Sequence, residues 1–527
     1  MAALLHDLIF ESASRFPSHT ALKYKASTLT YGQLSERVEQ CSRSLMAIGV
    51  EKYDRIAIYL PKCLESVIAT FGASAAGAVF VPINPALKPH QVSHILLDCD
   101  ARVLISTRSK YRALEPALAY CVDLQGIILI DGYEDLDLRD ISQRLLSWDD
   151  LLGLSHPSSG RQVIDADVAS LLYTSGSTGE PKGVILSHRN MVTGAKSVAQ
   201  YLKNDATDRI LAVLPLSFDY GMSQLTTTFL VGAGVVLINY LLPMEVLNTL
   251  AKERITGMAA VPSLWNLLVQ LPWPSEAAKN LRYITSSGGV VPVETTELLR
   301  QVLPSTEIFL MYGLTEAFRS TYLPPDQIQR RPTSIGKAIP NAEVLVLKPD
   351  GTPCEAEEPG ELVHRGSLVA MGYWNDARAT EQRFRPVPNR IEALPGREVA
   401  AWSGDIVKMD SEGYLYFIGR NDDLIKTSGY RVSPNEIEEV FYGSGLVSEV
   451  VALGIPHTTL GQTIALVVVP KPDMAVTGDD LINACKKRLA SYMIPAVIEF
   501  RAAIPSNPNG KVDRKQLAQE IMESFNE

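Results

Sequence analysis

The stretch Leu171-Leu-Tyr-Thr-Ser-Gly-Ser-Thr-Gly-Glu-Pro-Lys-Gly-Val-Ile-Leu186 decides how the rest of the chain is read. An apolar run feeds a loop holding three glycines, four hydroxyl side chains and one lysine, after which the chain turns apolar again. Such a loop offers backbone N–H groups, hydroxyl donors and a cation together, the equipment that cradles a polyphosphate. It is not a P-loop, which needs Gly-Lys-Ser/Thr opening a helix: Lys182 is followed by Gly183 and a second apolar strand. Taken alone, the loop is also compatible with a flexible Gly/Ser hairpin.

Outward from this hairpin, short β-branched runs alternate with stretches of helical spacing. Arg55–Leu60, Val79–Ile83, Val103–Ser106, Ile127–Asp131, Ile210–Leu214, Val235–Asn239, Gly257–Val261, Tyr283–Ser286 and Ile308–Met311 read as strands. Thr30–Ile48 and Met244–Glu253 read as helices. This alternation predicts an α/β fold of βαβ units with mainly parallel sheets and ligand sites at the strand ends. From about Asn341 to Gly419 the turns crowd together, as in Lys348-Pro-Asp-Gly and Ser411-Glu-Gly, and a small, largely antiparallel section is expected. Ser433-Pro-Asn-Glu436 has the form of a reciprocally capped helix start, and the strands and helix after it predict a compact α+β module. The expected division is residues 1–420, an N-terminal core binding nucleotide and substrate, and residues 421–527, a C-terminal lid.

Composition narrows the classes. The 527 residues are 46% hydrophobic and 20% charged, the balance of a folded chain. A net charge of −10 disfavours a general nucleic-acid binder. The six cysteines are scattered without CxxC pairs, as expected of reduced thiols and not of a zinc site. The most membrane-like segments, Ser66 to Ile83 and Val231 to Leu242, are broken by Pro82 or by Gly232 and Gly234 and read as buried helix-then-strand units. No signal peptide is evident at the N-terminus, and a cytoplasmic protein without a membrane partner is expected.

Five further motifs follow the first in order: Tyr312-Gly-Leu-Thr-Glu316, Ser403-Gly-Asp405, Gly419-Arg-Asn-Asp-Asp-Leu-Ile-Lys426, Ser428-Gly-Tyr-Arg431 and Pro508-Asn-Gly-Lys511. Together with Thr174–Gly183 they resemble the AMP-forming adenylate-forming superfamily of acyl-CoA and aryl-CoA ligases, luciferases and adenylation enzymes of nonribosomal peptide synthesis. The resemblance spans essentially the whole chain. It implies a large N-terminal region of two packed αβα subdomains with a small β-barrel-like subdomain, then a mobile C-terminal domain. It also implies ATP and Mg2+ as cofactors, with a carboxylate attacking the α-phosphate while pyrophosphate leaves.

The resemblance assigns residues to these tasks. Thr174, Ser175, Gly176, Ser177, Thr178, Gly179 and Lys182 would hold the β- and γ-phosphates, and Gly288 and Gly289 would also bind nucleotide. Tyr312 would lie against adenine, Thr315 would contact the α-phosphate, and Glu316 would coordinate magnesium, a hard cation that takes oxygen ligands. Asp405 would accept hydrogen bonds from the ribose, with Arg420 supporting the same region. Lys511 would reach the carboxylate and α-phosphate. Asp422 would be the hinge, and Gly429 and Arg431 would face the site in the second, thioester-forming step.

For the substrate the telling segment is Leu214-Pro-Leu-Ser-Phe-Asp-Tyr-Gly221. Phe218-Asp219 resembles the Phe-Asp of amino-acid adenylation enzymes, whose aspartate pairs with the α-amine. Burying an ammonium without a counter-charge costs several kcal/mol, so an amino-acid pocket needs an acid here. The alternative for Asp219 is a plain helix cap. Tyr220, Ser223, Ile284, Ser286, Met311 and Ser320 are expected near the rest of the pocket, whereas Arg319 could pair with Asp219, line the site or point away. The texture looks most like free-standing prolyl-carrier-protein ligases. The expected reaction is therefore activation of an amino acid, L-proline first, and its transfer to the phosphopantetheine thiol of a carrier protein in trans. The alternative is an acyl-CoA ligase. Lys486-Lys487-Arg488 either meets an acidic carrier or is a solvated face.

Overall fold

The computed structural model describes residues 2–526 apart from 135, 137–142, 158–160, 176–180, 388–397, 421–422, 428–429, 458–460, 473, 487, 490–492 and 508–510. Three sheets carry the chain. One runs, edge to edge, through Gly372–Tyr373, Pro181–Ser187, Val168–Ser175, Val79–Pro82, Arg55–Tyr59, Val103–Ser106, Gly126–Leu129 and Arg144–Ser147. From Val168–Ser175 to Arg144–Ser147 its strands are parallel, and the central ones are apolar on both faces; all four residues of Val79-Phe-Val-Pro82 are buried. Continuous apolar runs of this kind are what a parallel sheet covered on two sides requires.

The second sheet begins with the antiparallel edge strand Ser27–Thr30 and continues through parallel strands Thr20–Tyr24, Gly234–Leu237, Arg209–Ala212, Gly257–Ala260, Tyr283–Ser286 and Glu307–Tyr312. It then changes character. Thr321–Leu323 and Ser334–Ala338 are antiparallel and carry the sheet into Leu415–Arg420, Val399–Met409, Gly360–Gly366 and Ala342–Leu347. The turn-rich section expected after Asn341 is thus hydrogen-bonded onto the end of the parallel sheet. The first membrane-like segment resolves into a helix followed by a strand, Leu64–Ala75 with Val79–Pro82. The second, Val231 to Leu242, starts at the last residue of helix Asp219–Val231, holds the strand Gly234–Leu237 and ends with Leu241 and Leu242 exposed, so it is not a buried helix-then-strand unit. Among the described residues no helix is long and apolar enough to cross a membrane.

The third sheet holds Tyr430–Val432, Ile425–Thr427, Gly461–Pro470, Val447–His457 and Val497–Phe500, with helices Pro434–Tyr442, Gly478–Lys486 and Arg514–Asn526. The capping of Pro434–Tyr442 differs from expectation. Ser433 accepts the Glu436 N–H at 3.4 Å but donates its hydroxyl to the Ile418 carbonyl. The return bond from Glu436 is not formed among the described residues. This hydroxyl ties the helix start to the preceding hairpin instead.

The loops after three parallel strands of this sheet, Arg209–Ala212, Tyr283–Ser286 and Glu307–Tyr312, lead to Asp219, Gly288 and Glu316 and open on the same edge, the C-terminal ends of the strands where α/β sheets hold ligands. Helix Asp219–Val231 lies so close to the loop before it that a Cβ on Gly221 would fall 2.0 Å from the Pro215 carbonyl oxygen. Gly221→Ala is expected to push loop and helix apart at a cost of about 1–3 kcal/mol, read as a lowered Tm. A melt superimposable on that of the parent would show that this close approach does not hold the loop.

Candidate active site

The strand-end loops and the C-terminal module enclose a cavity of about 1800 Å³. Its wall includes Thr174, Lys182, Asp219, Ser286, Gly288, Gly289, Met311, Tyr312, Thr315, Glu316, Asp405, Arg420 and Lys511, so motifs far apart in sequence share one space. Ser177 and Thr178 with their glycines Gly176 and Gly179 lie outside the described residues, as do Asp422 and Gly429. For Ser175 and Arg431 only the backbone is described. The strands on either side of the first loop pair Thr174 with Lys182 and Ser175 with Pro181, antiparallel to each other.

On one side, Tyr312 donates its hydroxyl to Asp405, and its ring stacks on buried His364 at 6.0 Å between centroids. Asp405 stands directly opposite Arg420 in the hairpin Val399–Met409 and Leu415–Arg420, 3.4 Å from its Nε. The fifteen-residue spacing of the two is thus a cross-strand pair. Burial pushes the Asp405 carboxyl up, and Arg420 opposes the shift.

Glu316 lies on a short turn after Glu307–Tyr312. Tyr373 donates its hydroxyl to Glu316 Oε1 at 2.5 Å, and Arg383 Nε stands 3.9 Å from the same oxygen. Burial and the adjoining Glu316 carboxylate hold the Tyr373 phenol above its usual range. Lys182 pairs with Asp376 at 2.9 Å and sits 5.6 Å from the Tyr373 ring centre. The segment around Tyr373 laces this corner together, with Ala370 N–H on the Glu316 carbonyl and Trp374 N–H on that of Gly183. Tyr373, Arg383 and Asp376 escaped sequence reasoning because long-range pairings bring them to the site, that of Gly372–Tyr373 with the strand Pro181–Ser187 and that of Phe384–Pro386 with Val399–Met409.

Among the described residues no three acidic, histidine or cysteine side chains cluster as a metal site. One exposed-to-cavity carboxylate, Glu316, is nonetheless what Mg2+ asks of a protein when phosphate oxygens and water supply its other ligands.

On the other side, Asp219 is the first residue of helix Asp219–Val231 and is 4% exposed. It does not cap the helix: the cap position is Phe218, without a side-chain bond. Burial raises the Asp219 carboxyl, opposed first by Arg319 and then by Lys511. Arg319 Nη1 lies 3.6 Å from Asp219 Oδ2, and the guanidinium stacks 4.5 Å over the Tyr220 ring. Of the expected pocket residues, Asp219, Ser286 and Met311 line the cavity. Tyr220, Ser223, Ile284 and Ser320 are buried behind that wall, Tyr220 sharing a 2.5 Å hydrogen bond with Thr285. Another residue without a sequence signal is Lys62, whose buried Nζ donates to the Val213 and Leu214 carbonyls at 2.7 and 3.3 Å and braces the segment leading to Asp219. Burial pushes its ammonium down to about 8.

Lys511 enters from the C-terminal module. Its Nζ stands 5.5 Å from the Phe218 ring centre, and its Cε is near enough to Gly288 that a Cβ there would meet it at 3.3 Å. Burial lowers the Lys511 pKa, and Asp219, Asp405 and Glu316 pull it back. Glu439 accepts the Val293 N–H at 3.0 Å and Lys471 pairs with Glu294 at 2.8 Å, which holds the module over the cavity. Lys486 and Arg488 are exposed on that module, and Lys487 lies outside the described residues.

Comparison with known proteins agrees with this arrangement. A family model described as AMP-binding enzyme matches residues 9–374, and one described as AMP-binding enzyme C-terminal domain matches residues 436–511. A linear gramicidin synthase polypeptide of Brevibacillus parabrevis is 30% identical over 97% of this chain, which spans only 10% of that much longer protein. A long-chain-fatty-acid–CoA ligase of Bacillus subtilis is 27% identical over 99% of this chain and 95% of its own length. Among solved structures, the anthranilate CoA ligase AuaEII in complex with anthranoyl-AMP is 25% identical with a TM-score of 0.88, covering 99% of this chain and 100% of that one. O-succinylbenzoate CoA synthetase from Bacillus subtilis, with its acyl-adenylate, is 27% identical with a TM-score of 0.82 and 97% of each chain covered. The chain therefore belongs to the AMP-binding enzyme family of the adenylate-forming superfamily and is an ATP-using, AMP-forming ligase of the acyl-CoA ligase or peptide-synthetase adenylation type.

Proposed function

We propose that this ligase activates an amino acid, with L-proline the first candidate, as its aminoacyl-AMP. It then passes the acyl group to the phosphopantetheine thiol of a separate carrier protein. The observation that carries the reading is the Asp219 carboxylate on the cavity wall, largely cut off from solvent, with its nearest cation 3.6 Å away, beyond hydrogen-bond range. A cationic nitrogen on the substrate would meet an anion with acceptor capacity to spare, worth about 1.5–3 kcal/mol for a charged hydrogen bond.

In the first half-reaction a substrate carboxylate oxygen attacks the α-phosphorus of ATP, the bond from that phosphorus to its bridging oxygen breaks, and pyrophosphate departs. Lys511 neutralises charge growing on the α-phosphoryl and carboxylate oxygens, and Thr315 orients the same group. Lys182 leaves Asp376 for the β- and γ-phosphates, joined by Thr174, Ser175, Ser177 and Thr178, with Gly176 and Gly179 leaving their backbone close to the phosphates. Gly288 and Gly289 border the nucleotide, Tyr312 lies against adenine, and Asp405 and Arg420 take the ribose. Glu316, oriented by Tyr373, would hold Mg2+, which when bound screens the phosphate charges. In the second half-reaction the thiol sulfur attacks the acyl carbon and AMP leaves. For that step the C-terminal module, residues 421–527, turns at Asp422 and brings Gly429 and Arg431 to the core of residues 1–420, replacing Lys511.

A second reading has its own support. Arg319 already supplies Asp219 with a counter-charge, and a pocket that takes an uncharged acyl group could keep the pair as a neutral unit. On that reading the chain is an acyl-CoA ligase for a small or medium carboxylic acid, with coenzyme A as acceptor.

Carboxylate-dependent ATP–pyrophosphate exchange across a panel of amino, fatty and aryl acids separates the two. The expected result is exchange with amino acids, strongest with proline, reduced at least tenfold in kcat/KM by Asp219→Asn. Exchange confined to fatty or aryl acids, with Asp219→Asn unimpaired, rejects the amino-acid reading. For the lid, Lys511→Ala is expected to slow adenylate formation by about 100-fold or more, in line with loss of a group that stabilises charge in the transition state. Thioester formation from preformed adenylate should remain near the parental rate. Equal losses in the two half-reactions would contradict the role given to Lys511.

A further inference from the structure

We infer that Arg319 is the positioning residue that keeps Asp219 an anion in the empty pocket, so that the site is poised for a cationic nitrogen before substrate arrives; the inference rests on the amino-acid reading above. Three observations converge on it.

The first is how the guanidinium is delivered. Phe318, fully buried, has φ +53°, a backbone region that bulky L-residues rarely occupy. Arg319 N–H donates to the Ala317 carbonyl at 2.6 Å, closing a tight three-residue turn. Backbone strain of this kind persists where the surrounding structure enforces it, typically beside a functional group. Here it swings the next side chain under Asp219.

The second is what the guanidinium forgoes. Arg319 is 4% exposed, and its Nε and Nη2 have no hydrogen-bond partner among the described residues. A buried cation with two unpaired nitrogens is costly, and apolar residues commonly replace structural ion pairs of this sort without loss. A strained turn and unpaired donors at one position point to a task other than packing.

The third is the geometry of the pair. At 3.6 Å the guanidinium supplies charge without spending the carboxylate's acceptor sites on hydrogen bonds. Tyr220 fixes the guanidinium from beneath, its own hydroxyl locked at 2.5 Å to Thr285. Two other charged groups act on Asp219: Lys511 from the C-terminal module, and Glu316 from the loop that precedes Arg319, which acts in the opposite sense. Lys511 is there only while the lid lies over the cavity. Arg319 is resident, and burial would otherwise favour the protonated acid.

The sign follows directly. Without Arg319 the Asp219 carboxyl titrates at higher pH, so it is protonated, and unable to pair with an ammonium, over a wider acidic range. The test measures amino-acid-dependent exchange by the full-length enzyme as kcat/KM against pH for the parent, Arg319→Met, Arg319→Gln and Arg319→Lys. The acid limb is expected to move up by about one to three pH units in the Met and Gln variants, the effect of an opposite charge at this range. The loss should fall on KM for the amino acid more than on kcat, and Arg319→Lys should return the limb toward the parent. Thermal melts identify any variant that does not fold, and the remaining variants decide. An unmoved acid limb in a folded Met or Gln variant, while Asp219→Asn is impaired, overturns the role of Arg319 alone. Parental activity in Asp219→Asn, or no exchange with any amino acid, removes the amino-acid reading and this inference with it.

Discussion

A carboxylate held away from water needs a reason to remain charged. Asp219 sits at the start of a helix whose N–H groups favour an anion, behind a loop pressed against that helix at Gly221, with Arg319 below and the lid lysine above. Much of the architecture around it serves this arrangement. Lys62 crosses from the neighbouring sheet to brace the carbonyls before Asp219, and Tyr220 and Thr285 secure the floor on which Arg319 rests. The opposite end of the cavity pairs partly exposed cations with carboxylates, Lys182 with Asp376 and Arg420 with the buried Asp405, and polyphosphate and ribose can recruit these groups. The cavity thus offers partly exposed cations at one end and a fully buried ion pair at the other. That division suits a reaction joining a highly charged nucleotide to a small acid.

The fold was legible wherever a local rule sufficed. Val79–Pro82 and Tyr283–Ser286 are buried throughout because both faces of a parallel sheet are covered, and the helical spacing after Thr30 gave a helix whose cap is closed in both directions, Gln33 N–H to Thr30 at 3.3 Å and Thr30 N–H to Gln33 at 2.9 Å. Asp405 and Arg420, which the resemblance gave to one region, face each other across a hairpin. Ser433 keeps its half of the pattern, accepting the Glu436 N–H while its hydroxyl also donates to the Ile418 carbonyl of another strand, a long-range contact that no local rule announces.

The candidate site was legible in its motifs and illegible in its supports. Thr315, Glu316 and Lys511 carry chemistry that announces itself. Tyr373, Arg383 and Lys62 act through contacts made by distant strands, and nothing in their immediate neighbours marks them. Substrate-pocket positions fared unevenly for a geometric reason. Ile284 shares a strand face with Ser286 but lies two residues back from the C-terminal end of the strand, and Ser223 shares a helix face with Asp219 but lies one turn further in, so both are buried beneath the wall that Ser286 and Asp219 form. Arg319 was the residue whose direction sequence left open, and the tight turn at Phe318 supplies the answer.

The most direct measurement of the central claim is the affinity of the enzyme for two inert adenylate mimics, an aminoacyl-sulfamoyl adenosine and the same molecule lacking its amine. If Asp219 meets a cationic nitrogen, the amine-bearing compound should bind about ten- to 100-fold more tightly, matching 1.5–3 kcal/mol for a charged hydrogen bond. Equal affinities, or tighter binding of the compound without the amine, would mean that Asp219 serves only Arg319.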